Sequence, residues 1–435
     1  MEPLKALYAH YSLPDEKSLV TLNVENIIKE FKKHIEIQTS CLIYRPEKLE
    51  FDQNKIENTT ILDIHNYKNA MELIKKEKPD LIFAGGLSTA LVDNAITLAG
   101  KFLGIPLISL MNIPFSRKRS KKEISSFISM FFERSLPTDR SDKNKKFFRR
   151  GKFFISRYLF FLRTQKKVGI SNWTILKYFF HFLKQISSFN YLPFSSEFEG
   201  TLHFLAGEKY LKSLISLGFK KESIVVTGSP AYDPIFKKLQ NFEKPSKIYS
   251  KIRVMFVPDT LYEHGIWSKN QRDNTIKSIV KILSKHKKKI SLIIKIHPSY
   301  ANLSEYQSII KPIDPSIPIY QKEDFLQLLE KSDIIIDFAS FSTSIVFALI
   351  ANKPIILCSP FQFSDDEFLK KGLAVGCKDP TKLPDLIPQM LAPNPALEQK
   401  RDEFIREYLY KADGQASERI YYHILRLLKK SHGIK

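Results

Sequence analysis

Two groups of residues have the types and spacing to handle a phosphorylated ligand. The first is His297-Pro298, which closes the apolar run Ser291-Leu292-Ile293-Ile294-Lys295-Ile296. The second lies about forty residues on: Asp333-Ile334-Ile335-Ile336-Asp337, then Phe338-Ala339-Ser340-Phe341-Ser342-Thr343-Ser344, an apolar helical run, Lys353-Pro354 and another apolar strand. An unbroken isoleucine run predicts a strand covered on both faces, which puts Ser340, Ser342, Thr343 and Ser344 at its carboxyl end and at the start of a helix. Free backbone N–H groups there attract anions, and hydroxyls add hydrogen bonds to phosphate oxygens. Each group also has a plainer reading, Ser340 or Ser342 as a helix cap and His297 as a strand-end residue held extended by Pro298. Their order within one domain favours the phosphate reading.

The elements that must position these groups alternate. The first 115 residues predict strands at 4–10, 35–43, 60–64, 79–84 and 106–110, with helices near 19–33, 67–76 and 89–102. Strands separated by helices of this length imply parallel crossover units. Gly85-Gly86 follows the fourth strand and allows close approach of backbone to a ligand, although tight packing is the better explanation of such a pair. After 200 come strands at 202–206 and 223–228, then a Lys- and Pro-rich stretch, 230–251, expected to be a linker. A second alternating set starts with a buried strand in the run 252–259, and a long final helix carries a break near Asp413-Gly414. The expected organisation is an N-terminal Rossmann-like domain over 1–229, the linker 230–251, a second Rossmann-like domain over 252–400 and a C-terminal helix over 401–435.

Composition bounds the class. A chain of 435 residues, 43% hydrophobic and 26% charged, is long enough for two separate cores. Cys41, Cys358 and Cys377 lie far apart in sequence without metal-ligand spacing, which points to a reducing compartment. The N-terminus shows no basic region followed by an apolar core, so no secretory signal is expected, and no apolar run approaches the ~20 residues that span a bilayer. The glycine fingerprints of dinucleotide and P-loop sites are absent, which argues against a dehydrogenase or kinase.

The net charge of +22 is concentrated. From Arg117 to Lys184 there are 19 Lys or Arg against Glu123, Glu133, Asp139 and Asp142. Aromatics crowd the same stretch, with Phe160 and Phe161 interleaved among Arg149, Arg150, Lys152 and Arg157. Such an insertion, spanning 115–200, suits an anionic membrane surface, where charges meet headgroups and rings enter the interface. The competing readings are single-stranded nucleic acid and a helical insertion whose aromatics are simply core. The membrane reading is preferred, and no nucleic-acid partner is expected.

His-Pro followed by a Ser/Thr-rich strand-to-helix turn and Ala348-Leu349, with Lys353-Pro354-Ile355 after it, resembles the CDP-glycerol glycerophosphotransferases, the bacterial polysialyltransferases and related capsule glycosyltransferases. Ile224-Val225-Val226-Thr227-Gly228-Ser229-Pro230-Ala231-Tyr232-Asp233 and Asp413-Gly414-Gln415-Ala416-Ser417-Glu418-Arg419-Ile420 are similar to two further signatures of that superfamily. The resemblance implies the GT-B architecture, two Rossmann-like domains with a C-terminal helix returning to the first. It also implies a metal-independent transferase that moves a sugar or glycerol phosphate from a CDP-, CMP- or UDP-linked donor to a lipid-linked or polysaccharide acceptor. The enzyme would sit in the cytoplasm, peripheral on the inner membrane face, with no cofactor beyond the donor. The absence of any Asp-x-Asp triplet agrees with metal independence.

On this resemblance His297 donates to the leaving phosphate, while Pro298, Ser340, Ser342, Thr343, Ser344 and Asp259 line the donor site. Glu263-His264 adjoins Asp259, against the plainer reading of an ordinary loop. Two residues compete as base. Glu199, in Glu197-Phe198-Glu199-Gly200, is a near miss, with an inserted Phe, to an acidic pair of the polysialyltransferases, and a solvated loop carboxylate is its plainer and preferred reading; His10 ends the first strand. A non-catalytic membrane- or nucleic-acid-binding protein on the same scaffold is the second expectation. A UDP-sugar 2-epimerase is the third, ranked last because no Gly-Gly-x-x-Glu-Glu segment follows the hydroxyl turn.

Overall fold

The structure is a computed structural model that describes residues 3–10, 19–44, 59–84, 91–111, 143–188, 200–216, 218–240, 251–263, 267–298, 301–338, 343–360 and 367–432. The chain forms two compact units, one of Met1–Ser116, Ile128–Asp233 and Arg406–Lys435, the other including Pro234–Ile405. Both are α/β with wholly parallel sheets, as the alternating pattern predicts, and the fold is of the GT-B type that the resemblance implies.

The strands of the first unit are β1 (Leu4–His10), β2 (Ile37–Ile43), β3 (Thr59–Asp63), β4 (Leu81–Phe83), β5 (Leu107–Met111), β6 (Leu202–Leu205) and β7 (Ile224–Val226). They lie in the order β3-β2-β1-β4-β5-β6-β7. The chain winds outward from β1 through β2 and β3, then returns to the other side of β1 at β4. That reversal is where ligands bind, beyond the carboxyl ends of the strands.

Its helices before the second unit are α1 (Leu19–Lys32), α2 (Ala70–Glu77), α3 (Leu91–Phe102), α4 (Lys143–Lys167), α5 (Asn172–Ser188) and α6 (Leu211–Ser216). Helix α2 buries Met71, Leu73 and Ile74, is capped by Asn69 accepting from the Glu72 N–H, and stops at Lys78 in the left-handed region before Pro79.

Helix α4 corrects part of the membrane expectation. Phe160 and Phe161 are 4% and 3% exposed and belong to the core beneath α2 and α3. Buried Thr164 fixes them there, its hydroxyl donating to the Phe160 carbonyl at 2.8 Å and accepting from the Ala70 N–H at 3.0 Å. Arg157 is half-buried with its guanidinium 5.8 Å from the centre of the Tyr44 ring. The side chains of Arg149, Arg150 and Lys152 lie outside the described ones.

The second unit contains β8 (Ile252–Val257), β9 (Ile290–Lys295), β10 (Ile319–Tyr320), β11 (Ile334–Asp337), β12 (Ile355–Cys358) and β13 (Val375–Cys377), in the order β10-β9-β8-β11-β12-β13. Its winding repeats that of the first unit, with β8 in the place of β1 and the reversal between β8 and β11. The helices are α7 (Asp233–Gln240), α8 (Lys269–Lys285), α9 (Leu303–Ile310), α10 (Phe325–Glu330), α11 (Thr343–Ile350), α12 (Glu367–Lys370), α13 (Leu383–Leu391) and α14 (Pro395–Leu409). Val254, Phe256, Ile294, Ile334 and Ile336 are fully buried against Ile276, Ile279 and Val280 of α8, each such side chain contributing roughly 2 kcal/mol.

One expectation changes here. The stretch taken as a linker opens with a helical turn at Pro230–Tyr232 and α7, because Pro230 and Pro234 suit first turns. Cys358 and Cys377, distant in sequence, are register partners on β12 and β13, as buried free thiols.

Helix α15 (Ala416–His432) packs on α1 of the first unit, with the Tyr421 ring edge-on to Phe31 at 4.8 Å. Its start is where the two superfamily signatures meet. The Asp233 carboxylate accepts from the Ala416 N–H (3.0 Å), the Ser417 N–H (2.8 Å) and the Ser417 hydroxyl (2.5 Å). Arg419 donates to the Thr227 carbonyl and to both oxygens of Asp413. From α1, the Asn23 amide oxygen accepts from the Ser229 hydroxyl and the Ala231 N–H. Gly228 has φ +86° and its missing Cβ would lie 3.2 Å from the Leu409 carbonyl and from Ala416, so glycine is required on both counts. These signatures therefore form a structural clasp.

Candidate functional site

Strands β9, β8 and β11 are neighbours, and their carboxyl ends present His297-Pro298, Asp259-Thr260 and Asp337-Phe338 along one edge. Two strand spacings separate β9 from β11, roughly 10 Å. Within this unit the histidine and the start of α11 thus share one edge, with Asp259 between them.

The His297 turn is held on both sides by a buried lysine and a glutamine. Lys295 is 5% exposed, and its ammonium donates to the carbonyls of Ile296 (3.1 Å) and Gln321 (2.7 Å). The Gln321 amide donates to the carbonyls of Pro298 (3.2 Å) and Ala301 (2.8 Å). Burial lowers the Lys295 pKa, against the pull of Glu323 and Asp324. His297 is partly exposed, and burial of its ring, reinforced by the Lys295 charge, pushes its pKa down to about 4. The imidazole is therefore neutral near pH 7, with an N–H to donate and a ring nitrogen to accept.

Asp259 behaves in the opposite sense. Burial, with a contribution from Glu263, pushes its pKa up to about 6 against hydrogen bonds from the Thr260 N–H (2.7 Å) and hydroxyl. Behind it, Arg272 is 1% exposed and donates to Asp273 (2.8 Å), Glu305 (3.0 Å) and Glu263 (3.3 Å), with its guanidinium 4.2 Å from the Tyr262 ring centre. The Tyr306 hydroxyl also donates to Glu263 at 3.2 Å. Burial raises the Glu263 pKa even so. This network fixes the loop that carries Asp259.

At β11 the hydroxyl row is only partly described. Ser340 and Ser342 lie outside the described residues, as do His264 and Glu199. Thr343 is exposed in the first turn of α11. Ser344 corrects its assignment as a phosphate ligand: it is 5% exposed and donates to the fully buried Asp337 carboxylate at 2.7 Å, whose other oxygen accepts from the Phe338 N–H. Ser344 thus ties helix to strand, and of the described hydroxyls in the row only Thr343 stays exposed. Phe338 seals the floor, its ring 4.8 Å from Trp267 and 5.3 Å from Phe256.

In the first unit His10 is half-buried at the end of β1, beside the reversal of strand order. Asp93, in the first turn of α3, escaped the sequence reading; burial pushes its carboxyl up to about 7. Its only signal was a lone acid in an otherwise apolar helix. Lys295, Gln321 and Arg272 escaped too, although a lysine inside an isoleucine run was a visible anomaly. A depression of about 820 Å³ between Lys32 and Ile61 lies at the amino ends of β2 and β3, the wrong edge for a ligand of this fold. Among the described residues no group of three or more His, Cys, Asp or Glu gathers in metal-binding geometry.

The family model described as UDP-N-acetylglucosamine 2-epimerase matches residues 200–424, more than half of the chain and nearly the stretch that carries the sequence resemblance. No curated protein matches. Among solved structures, the chain is similar to MnaA of S. aureus with UDP, at a TM-score of 0.55 and 17% identity over 98% of this chain and 97% of that one. It is similar to UDP-GlcNAc 2-epimerase from Neisseria meningitidis bound to UDP-GlcNAc, at a TM-score of 0.52 and 15% identity over 98% of this chain and 100% of that one. It is also similar to the wall teichoic acid polymerase TagF, at a TM-score of 0.55 and 11% identity over 98% and 89%. Identities this low establish the shared fold. The family match moves the epimerase reading from last to first, and the chain belongs to the UDP-N-acetylglucosamine 2-epimerase family.

Proposed function

We propose that the chain is an enzyme acting on a UDP-linked N-acetylhexosamine, with its diphosphate at the β8–β9–β11 edge of the second unit, and that it inverts the configuration at C2. The family match over the segment that builds this edge carries the reading. The C2 proton of such a sugar is not acidic, because no carbonyl adjoins it. Its removal becomes feasible when the C2–H electron pair forms a C1=C2 double bond as the C1–O pair departs with the diphosphate. Return of the diphosphate to C1 and of a proton to the other face of C2 completes the inversion. Neutral His297 donates a hydrogen bond to the departing phosphate. The helix start at Thr343 holds its oxygens. Asp259, held near pH 6, is poised to exchange protons. The nucleotide sugar is the sole reactant, without a cofactor.

A second reading keeps the same edge but transfers the activated group, a sugar or glycerol phosphate from a UDP-, CDP- or CMP-linked donor, to a lipid-linked or polysaccharide acceptor. It is favoured by the missing Gly-Gly-x-x-Glu-Glu segment after the hydroxyl turn and by the fold shared with TagF. Incubation with UDP-GlcNAc in deuterium oxide, followed by proton NMR, separates the two. Epimerisation replaces the C2 proton with deuterium and yields the C2 epimer. Transfer leaves C2 protonated and releases nucleotide only with an acceptor. If UDP-, CDP- and CMP-linked donors neither bind nor react, both readings fall.

A further inference from the structure

Helix α5 turns to solvent a face that no described residue covers. Trp173, Leu176 and Phe180 are 78%, 43% and 59% exposed, at positions i, i+3 and i+7 of one helix. That spacing puts them on one stripe. The other side of the helix is used normally, with Ile175 in the core and the Phe179 ring 5.5 Å from Tyr158. Single exposed hydrophobics are ordinary, but three large ones aligned on a helix mark a contact surface. Lys177 is exposed on the same arc, and Arg163, Lys166 and Lys167 are exposed on α4. The surrounding sequence from Arg117 to Lys184 holds 19 basic residues and four acids.

We propose that this face docks on an anionic lipid bilayer, with Trp173, Leu176 and Phe180 entering the boundary between headgroups and acyl chains while the neighbouring lysines and arginines meet the headgroups. Burial of apolar area plus attraction to anionic lipid is what holds a surface helix in that plane. Among the described residues no helix is long and apolar enough to cross a membrane. A nucleic-acid strand fits less well, because stacking needs a π-face and Leu176, between the two rings, has none. A second copy would bring one strongly basic segment against another. The inference does not depend on the chemistry of the second unit.

The chain has two tryptophans, and Trp267 is 5% exposed, so a change in emission on binding reports Trp173. Vesicles of equal parts phosphatidylglycerol and phosphatidylcholine should shift the emission to the blue and sediment the protein, with both effects weakening as salt rises. Pure phosphatidylcholine should do far less. The combined variant Trp173→Ser, Leu176→Ser, Phe180→Ser should lose about tenfold or more in vesicle partition with its thermal midpoint little changed, since the three side chains belong to none of the described core clusters. Three results would overturn the proposal: no partition of the parent protein, equal partition of the variant, or a blue shift produced instead by a single-stranded oligonucleotide or by self-association without lipid.

Discussion

The two units share a winding but, among the described residues, not a chemistry. In each sheet the chain runs outward from its first strand and then returns to the other side of it, so each has a reversal at its carboxyl edge. At that edge the second unit collects a histidine held neutral, a carboxyl raised to about 6 and an arginine buried among three carboxylates. The described edge of the first unit offers His10 and, one turn into α3, Asp93. Repeating a fold therefore repeats a place for a ligand and leaves the reacting groups to be supplied separately by loops and strand ends.

The largest expected effect strikes the second edge. His297→Ala should lower turnover by about 10²- to 10⁴-fold, the usual worth of a positioned proton or hydrogen-bond donor, with the circular dichroism spectrum unchanged. A residual activity close to the parent's would move the chemistry elsewhere. Arg272→Met should cost about 3 kcal/mol in urea unfolding, because the mostly buried Glu263 and the partly buried Glu305 and Asp273 would be left around a lost cation. In the first unit, Asp233→Ala removes three hydrogen bonds from the start of α15 and should cost about 2–3 kcal/mol in the same measurement, with the affinity for nucleotide retained.

The smallest effect tests whether the first edge is chemically quiet. The folded pKa of Asp93, about 7, lies above the ordinary value of 3.8, so between those values the folded state binds the extra proton. Its contribution to stability is complete below pH 4 and is lost as pH rises through about 7. Asp93→Asn should therefore flatten the fall in thermal midpoint between pH 4 and pH 7 and change turnover little. A turnover loss as large as that of His297→Ala would break the contrast between the two edges.

The sheets, their parallel sense and the break before the last helix were legible because apolar runs and glycine or proline punctuation report local backbone preferences directly. His297 and Asp259 were legible as strand-end residues for the same reason. What stayed hidden depends on contacts far apart in sequence. Nothing near Phe160 and Phe161 says that α4 will press them against α2, and Arg272 is an ordinary helix arginine until Glu263 and Glu305 close around it. Ser344 looked like a phosphate ligand because its hydroxyl could not be seen turned inward to Asp337. The two signatures around Asp233 and Ser417 were read as marks of kinship, and only the clasp between them shows why those residue types are needed.

Hydrogen exchange read by mass spectrometry, with and without UDP, tests the central claim most directly. Slower exchange of the amides that follow β8, β9 and β11 is the predicted result. Protection confined to the amino ends of β2 and β3, around the open depression there, or no protection at saturating UDP, would contradict it.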